Sequence, residues 1–265
     1  MRSVHIVLLL LILSCNRGPF VETNKSYKRQ AKELAKQIRK SPLKDSMPEM
    51  GNWVGTVNFN LRKPNLVIIH HTAQNSCEQT LTTFTLQRTQ VSAHYVICRN
   101  GTIHHMLNDY LRAWHGGAAR WGNINDINSS SIGIELDNNG AEPFPEPQIS
   151  SLLRLLQNLK NTYSIPTSNF IGHADIAPTR KTDPSHYFSW KELSVGGFGH
   201  WYDDTANVLV PPSFSNREAL RIIGYDTRDS SAAFHAFRLH FLGDTLQTMD
   251  SAAQKVLYSV YKKYL

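Results

Sequence analysis

Short apolar runs alternate with helical patterns between residues 66 and 171, and this alternation constrains the fold most strongly. Residues 66–69 are all apolar and end at His70. Short apolar runs are typical of strands, whereas apolar residues that recur every three or four positions indicate helices. The longest helical pattern follows Pro147, with apolar or aromatic residues at 149, 152, 153, 156, 159 and 163. The alternation predicts a mixed α/β domain.

A hairpin and one helix are expected in the first half of this region. Residues 78–88 have a helical pattern. Residues 94–98 and 102–106 are strand-like and flank the turn sequence Arg99-Asn100-Gly101. A turn that contains Asn-Gly between two strand-like runs predicts a β-hairpin.

Two further strands lead to polar side chains. Apolar and other residues alternate along residues 131–136, which places Glu135 on the strand face opposite Ile132, Ile134 and Leu136. Residues 169–171 form a last short strand that delivers His173. The following run, 172–184, reads GHADIAPTRKTDP and is too irregular for a helix or strand. We therefore expect it to be a stiff loop.

The N-terminus has the pattern of an export signal. Residues 4–13 are apolar apart from His5, a run too short to span a bilayer, which takes about 20 residues. A buried N-terminal strand is the alternative. The sequence Ile-Leu-Ser-Cys that ends at Cys15 resembles a bacterial lipobox, in which the cysteine receives a lipid. We expect a signal peptide over 1–14 and lipidation of Cys15.

The positive charge is concentrated after this cysteine. Residues 17–44 hold nine Lys and Arg against two Glu, whereas the chain from residue 45 onward has 18 basic and 19 acidic residues. We interpret 15–50 as a basic tether suited to anionic headgroups or a polyanionic envelope. The nearly neutral remainder argues against nucleic-acid binding by the folded body.

Two cysteines remain if Cys15 carries a lipid. Connectivity cannot be deduced from sequence, so we expect Cys77 and Cys98 to be buried free thiols. An exported compartment would also permit a disulfide between them.

Three residues form a candidate metal site. His70 and His173 each end a strand, and Asp183 lies ten residues beyond His173. A catalytic zinc takes three such ligands and keeps a fourth position for water. The spacing alone is a weak signal, and on spacing alone a surface or hydrogen-bonded histidine is more common than a ligand.

The motifs around these residues occur in the order of a known family. These motifs are VIIHHT (67–72), SAHYVI (92–97), NGT (100–102), WHGG (114–117), SIGIE (131–135) and GHADIAPTRKTDP (172–184). Together they resemble the zinc-dependent N-acetylmuramoyl-L-alanine amidases of the type-2 family over residues 53–204. The resemblance implies a mixed central sheet flanked by helices, as in peptidoglycan-recognition proteins.

The resemblance also implies roles for individual residues. His70, His173 and Asp183 correspond to the ligands of one Zn²⁺ per chain, and the His-x-Thr pattern selects His70 rather than His71. Glu135 matches the catalytic glutamate, which can take a proton from zinc-activated water. Lys181 matches a lysine that can stabilise the oxyanion.

Three further residues are candidates for substrate contact. His115 could touch substrate or polarise its carbonyl, or it could be an ordinary loop histidine. Trp114 and Trp121 could stack on sugar rings or simply pack. We expect His94 to be a buried structural residue.

The tail has its own resemblance. Three helical patterns, at 216–223, 230–241 and 248–264, follow a linker at 210–213. The motifs ALRIIGYD (219–226) and AFHAFRLHF (233–241) resemble a three-helix peptidoglycan-binding module. We therefore expect an amidase domain over 51–204 and a small helical domain over 205–265.

The whole chain then resembles the outer-membrane lipoprotein amidases of Gram-negative bacteria. The expected protein is a monomeric, lipid-anchored periplasmic enzyme that cuts the bond between N-acetylmuramic acid and L-alanine. Intact peptidoglycan and fragments with anhydro sugars are both open as substrates. The alternative is a protein that recognises the stem peptide without cutting it.

Overall fold

The structure is a computed structural model that describes residues 18–39 and 56–265. The expected signal peptide over 1–14 and the lipid site at Cys15 lie outside these residues. The chain divides into two compact units, 1–59 and 60–265. The described part of the first unit contains one helix, α1 (Val21–Ile38), which has no buried residue. Within the described ranges, no helix combines the length and the hydropathy needed to cross a membrane.

The second unit contains a five-stranded sheet and the remaining helices. The strands are β1 (Leu66–His71), β2 (Tyr95–Ile97), β3 (Ile103–His105), β4 (Ser131–Leu136) and β5 (Phe170–Gly172). The helices are α2 (Cys77–Thr85), α3 (Glu146–Tyr163), α4 (His173–Ile176), α5 (Trp190–Val195), α6 (Asn216–Ile223), α7 (Ser230–Phe241) and α8 (Ser251–Tyr261).

The sheet is mixed, with the order β3-β2-β4-β1-β5. Strand β1 is parallel to both β4 and β5, and β4 is also parallel to β2. Strands β2 and β3 form the expected antiparallel hairpin. Its turn uses Gly101 at a φ of +85°, a conformation that glycine adopts without steric cost. The α/β prediction with a mixed sheet flanked by helices is confirmed.

The two faces of the sheet are covered by different parts of the chain. On one face, Val67 and Ile69 of β1 pack with the apolar side of α3, which includes Leu152 and Leu156. On the other face, Leu66 and Ile68 belong to a second core. Its further members come mainly from the C-terminal helices and include Leu220, Phe237 and Leu257. Alternate residues of one buried strand therefore serve two cores, because strand side chains alternate between faces.

The C-terminal helices match the expected segments closely and have clear local signals. Ser215, Asp229 and Asp250 cap α6, α7 and α8, each accepting a hydrogen bond from the backbone amide three residues later. The sequence-based boundary near residue 205 falls within the compact unit 60–265. The division into two domains remains a prediction.

Two details differ from the sequence-based expectations, and the burial of β4 is a further observation. Cys77 and Cys98 form a disulfide, so the expectation of free thiols was wrong; their Cα atoms lie 5.3 Å apart, within bridging range. The run after Gly172 starts with the short helix α4 rather than a loop. Strand β4 is buried on both faces, so its alternating pattern does not mark an exposed face.

Candidate active site

Strand register brings the predicted site residues to one edge of the sheet. His70 of β1 lies directly beside Glu135 of β4, and Ile69 lies beside Gly172, the last residue of β5. The three strands are parallel, so their carboxyl ends meet at this edge, where α/β sheets commonly bind ligands. His173 follows Gly172 and begins α4.

Three candidate ligand atoms converge there in a small triangle. His70 Nδ1 lies 2.9 Å from His173 Nδ1 and 3.2 Å from Asp183 Oδ2. His173 Nδ1 lies 3.0 Å from the same carboxylate oxygen. All three residues are buried, and the backbone amide of Ala174 donates to the carbonyl of Asp183 at 2.8 Å. That backbone bond ties the two ends of the loop together.

The hydrogen-bond partners of the two histidines determine which nitrogen carries the proton. His173 Nε2 lies 3.3 Å from the carbonyl oxygen of Gly116, which can only accept. His70 Nε2 lies 3.0 Å from His115 Nδ1, and His115 Nε2 lies 3.1 Å from the Ser131 hydroxyl. The Ser131 hydroxyl donates to the carbonyl of Ile127. A consistent assignment puts a proton on Nε2 of each ring, which leaves both Nδ1 lone pairs facing Asp183.

This donor set fits a metal ion. Two imidazole lone pairs and a carboxylate repel one another unless a cation lies between them. Ligands at about 2.0–2.1 Å from a tetrahedral zinc are separated by about 3.3 Å, close to the sides of the observed triangle. Burial, followed by the nearby His173, lowers the pKa of His70 to about 4, which keeps the ring neutral as a ligand requires.

A second group of metal-ligand residues lies elsewhere, formed by Cys77, Cys98 and His104. This second group is not a candidate metal site, because the two sulfur atoms are bonded to each other in a disulfide.

Glu135 is positioned to exchange protons beside this triangle. Its Oε1 lies 4.0 Å from His70 Nδ1, and its buried Oε2 has no hydrogen-bond partner. Burial, followed by repulsion from Asp183, raises the pKa of Glu135 to about 8. A buried, unpaired carboxyl oxygen is costly in a folded protein and is typical of a group that acts on a substrate or water.

Lys181 contributes positive charge to the same site. Burial is the main cause of the pKa shifts of His70 and Glu135, and the Lys181 ammonium adds to the lowering at His70 and opposes the rise at Glu135. The side chain is half-buried. His71, the alternative first ligand, is directed elsewhere, since its Nδ1 accepts a hydrogen bond from the Ser185 amide.

His115 occupies a place that neither sequence interpretation described. The ring is buried between His70 and Ser131, so its two nitrogen atoms are engaged by protein groups. Burial, followed by the nearby His70, holds the pKa of His115 well below its usual range. Gly133 of β4 makes room for the ring, because a Cβ there would lie 2.4 Å from the imidazole.

The two tryptophans differ. Trp114 is 47% exposed and available for stacking, whereas Trp121 is 7% exposed. The Trp121 ring meets Tyr225 edge to face at 5.1 Å and packs over Gly224. The suggested sugar contact of Trp121 is therefore corrected to a packing role. His94 is buried as expected, bonded to the Gly133 amide and to the Leu111 carbonyl.

Two residues that support the site were not found from the sequence. The side-chain oxygen of Asn128 accepts from the amides of His115 and Gly116, and Arg180 donates to the carbonyls of Gly116 and Ala118. Both hold the 114–118 segment in place. They act through contacts 12 to 64 residues apart, and no local pattern signals such contacts.

A triangle of ligand atoms that fits a metal ion, with an unpaired acid beside it at the carboxyl edge of a mixed sheet, is typical of a metal-dependent hydrolase. The N-acetylmuramoyl-L-alanine amidase family matches residues 60–186. The amidase AmiD of Escherichia coli is 31% identical over 240 residues, covering 75% of this chain and 83% of the relative. The chain belongs to the N-acetylmuramoyl-L-alanine amidase family, which hydrolyses the amide bond between N-acetylmuramic acid and L-alanine.

Other comparisons agree with this assignment. The 1,6-anhydro-N-acetylmuramyl-L-alanine amidase AmpD of Haemophilus influenzae is 40% identical over 103 residues, 38% of this chain and 56% of the relative. The solved complex of Escherichia coli AmiD with an anhydro-N-acetylmuramic acid peptide has a TM-score of 0.69 at 27% identity and covers 79% of this chain and 93% of that one. The crystal structure of AmpDh3 from Pseudomonas aeruginosa has a TM-score of 0.70 at 26% identity, and the match covers 82% of this chain and 98% of AmpDh3.

Proposed function

We propose that this amidase is a zinc enzyme that acts on muropeptides and peptidoglycan from a lipid anchor at Cys15. The observation that carries the proposal is the convergence of two imidazole lone pairs and the Asp183 carboxylate beside the unpaired Oε2 of Glu135. Zinc held by His70, His173 and Asp183 would polarise the amide carbonyl and lower the pKa of a bound water.

The side chains divide the remaining chemistry between them. A cation held beside Glu135 favours its carboxylate form. That carboxylate accepts a proton from the attacking water and returns it to the departing amine of L-alanine. The Lys181 ammonium stabilises negative charge as it develops on the carbonyl oxygen. Exposed Trp114 offers a face on which a sugar ring can stack.

The anchor and compartment rest on the sequence. The apolar run before Cys15 and the basic residues after it support export to the periplasmic face of a membrane, which we infer to be the outer membrane. The name of one relative and the solved complex of another contain anhydro-muramic sugars, which supports muropeptide fragments as substrates beside intact peptidoglycan. We propose that the enzyme acts as a monomer and binds no nucleic acid.

The alternative is a stem-peptide recognition protein without hydrolytic activity. A pure binding protein needs no metal ligands, yet this chain keeps all three candidate ligands together and an unpaired acid beside them. These residues favour the enzyme.

Replacing Glu135 with Gln tests the proposed role of the acid. The amide keeps the size of the side chain but cannot accept the proton, so we expect kcat to fall by about 10²- to 10⁴-fold with the zinc content unchanged. Turnover is measured by mass spectrometry of released stem peptide, and zinc by elemental analysis. Glu192→Gln, at an exposed glutamate of α5, is the matched control. Full activity of Glu135→Gln would exclude Glu135 as the proton acceptor.

A further inference from the structure

The C-terminal helices reach the loop that carries the metal ligands through one buried carboxylate. Asp175 lies two residues after His173 and is 2% exposed. Its Oδ2 accepts from the Gly172 amide at 2.7 Å and lies 2.8 Å from His240 Nδ1, and its Oδ1 accepts from the Tyr225 hydroxyl at 2.7 Å. Three groups therefore satisfy this carboxylate, and two of them come from the last 45 residues of the chain.

Those two groups are themselves held firmly. Tyr225 is buried just after α6, and its ring contacts Trp121 and Phe237. The His240 ring of α7 stacks on Trp190 of α5, with centroids 4.0 Å apart and planes at 11°. Rings fixed by packing present their donors in a single direction, so the position of Asp175 is set from the C-terminal side.

The backbone beside His173 has little room to move. A Cβ at Gly172 would lie 3.0 Å from both Pro184 and Trp190 and 3.2 Å from Asp175. The bond from the Gly172 amide to Asp175 therefore fixes the peptide unit that enters His173. Because ligand atoms tolerate displacements of only a few tenths of an ångström, a shift of this peptide unit changes the ligand triangle.

We propose that Tyr225 and His240 are positioning residues for the metal ligand His173, acting through Asp175. The inference rests on the proposed metal site. In this arrangement the C-terminal helices help to hold a metal ligand in position, in addition to any binding of their own. Removing either donor leaves a buried carboxylate partly unsatisfied, and the loop then relaxes away from the ligand geometry.

The test compares Tyr225→Phe and His240→Phe in the full-length protein. His240→Phe keeps an aromatic ring against Trp190 but loses the donor. His235→Phe on the same helix and Tyr258→Phe on α8 are matched controls. The readouts are the Kd for zinc, from competition with a chromophoric chelator, the visible absorption spectrum of the Co²⁺-loaded protein, and separate kcat and KM values.

We expect each test variant to bind zinc about tenfold more weakly, to alter the Co²⁺ spectrum and to lower kcat more than it raises KM, with both controls unchanged. His240→Asn restores a donor near the position of Nδ1 and is expected to recover part of the affinity. Folded test variants with wild-type Kd and Co²⁺ spectrum would overturn the inference. A wild-type protein that binds neither metal would instead contradict the proposed function.

A second observation concerns an arginine-lined cleft of about 490 Å³. Arg120, Arg217, Arg221 and Arg228 line it together with Asp226. Asp226 pairs with Arg228 at the surface. Arg120 and Arg217 each use Nε to donate to a backbone carbonyl, of Gly122 and Thr227 respectively. Within 18–39 and 56–265, the Arg221 side chain has no hydrogen bond or ion pair.

Four guanidinium groups thus line a cleft that contains a single carboxylate, Asp226, and that carboxylate is paired with Arg228. Such groups repel one another unless an anion joins them, and guanidinium recognises carboxylate by paired hydrogen bonds. The geometry points to a second binding site in this cleft, for the free carboxylates of peptide stems on the wall polymer. This inference also rests on the proposed function.

Binding to purified peptidoglycan sacculi tests the cleft in the Glu135→Gln background, where substrate is not consumed. We expect Arg217→Ala/Arg221→Ala to weaken binding about tenfold and to reduce its salt dependence, whereas Arg88→Ala/Arg154→Ala has no such effect. When the carboxylates of the sacculi are amidated, Arg217→Ala/Arg221→Ala and its parent protein should bind with equal affinity. Binding to vesicles of anionic phospholipid is measured in parallel. Equal binding of the two double variants to sacculi, or a loss of binding seen only with the vesicles, would overturn the proposed carboxylate site.

Discussion

At the scale of single residues, a chain of hydrogen bonds connects the metal triangle to the sheet. His70 is bonded to His115, His115 to Ser131, and Ser131 to the Ile127 carbonyl. Partners of this kind fix the orientation and tautomer of a ligating histidine. The sequence singled out His115 but offered only substrate contact or an ordinary loop position.

Replacing His115 should therefore weaken metal binding more than substrate binding. We expect His115→Ala to raise the Kd for zinc by about 10- to 100-fold. His115→Asn should lose less, because its side-chain oxygen can replace Nδ1 as the acceptor from His70. The Kd is measured by chelator competition, with His104→Ala on β3 as the control. A wild-type Kd in His115→Ala would show that the ring does not support His70.

The two tryptophans offer a paired comparison. Exposed Trp114→Ala should raise KM for muropeptides with the melting temperature unchanged. Buried Trp121→Ala should lower the free energy of unfolding by about 3–5 kcal/mol, because it leaves a cavity between the loop and the C-terminal helices. Denaturant unfolding and steady-state kinetics separate these effects. Equal KM in wild type and Trp114→Ala would remove Trp114 from the substrate site.

Much of the site could be predicted because its motifs are local. His70, Glu135 and His173 each lie at or beside the end of a recognisable strand, and Asp183 belongs to the motif that follows β5. Contacts that join distant segments left no such pattern. The burial of Trp121 and the partners of Asp175 depend on where the C-terminal helices pack, which periodicity does not specify.

At the scale of elements, parallel pairing sets the distance between ligand and acid. Because β1 and β4 are neighbours in register, His70 and Glu135 lie side by side with no loop between them. The strands, α2, α3 and the three C-terminal helices followed from local sequence patterns, whereas the short helices α4 and α5 did not. The exposed or buried state of β4 did not, because an alternating strand covered on both faces has the same pattern as a half-exposed one.

The Cys77–Cys98 disulfide joins the first turn of α2 to the residue after β2, across 21 residues. In the chain-entropy account, closing such a loop stabilises the folded state by about 3 kcal/mol. We expect Cys77→Ser/Cys98→Ser to lose roughly that much unfolding free energy while keeping zinc affinity, as measured by urea denaturation and chelator competition. A double variant as stable as wild type would contradict a structural role for the disulfide.

At the scale of the whole molecule, the C-terminal helices cover one sheet face, and they bond Asp175 behind the proposed metal ligands. The sequence located these helices to within a few residues, because caps and apolar spacing are local. The predicted small helical domain over 205–265 remains a prediction, and no pattern in these residues indicates that their apolar faces pack with β1. The fold class could therefore be predicted from local patterns, whereas the packing of the C-terminal helices with β1 could not.

The central claim is that a metal held by His70, His173 and Asp183 drives cleavage of the bond between N-acetylmuramic acid and L-alanine. The most direct measurement is mass spectrometry of defined muropeptides, with intact and with anhydro sugars. The muropeptides are incubated with the untreated protein, with protein whose metal has been removed by a chelator, and with that protein after zinc has been added back.

We predict release of free stem peptide by the untreated protein, its loss after chelation and its return with zinc. Release that persists after the metal has been removed, or muropeptides bound but left intact by the zinc-loaded protein, would contradict the account.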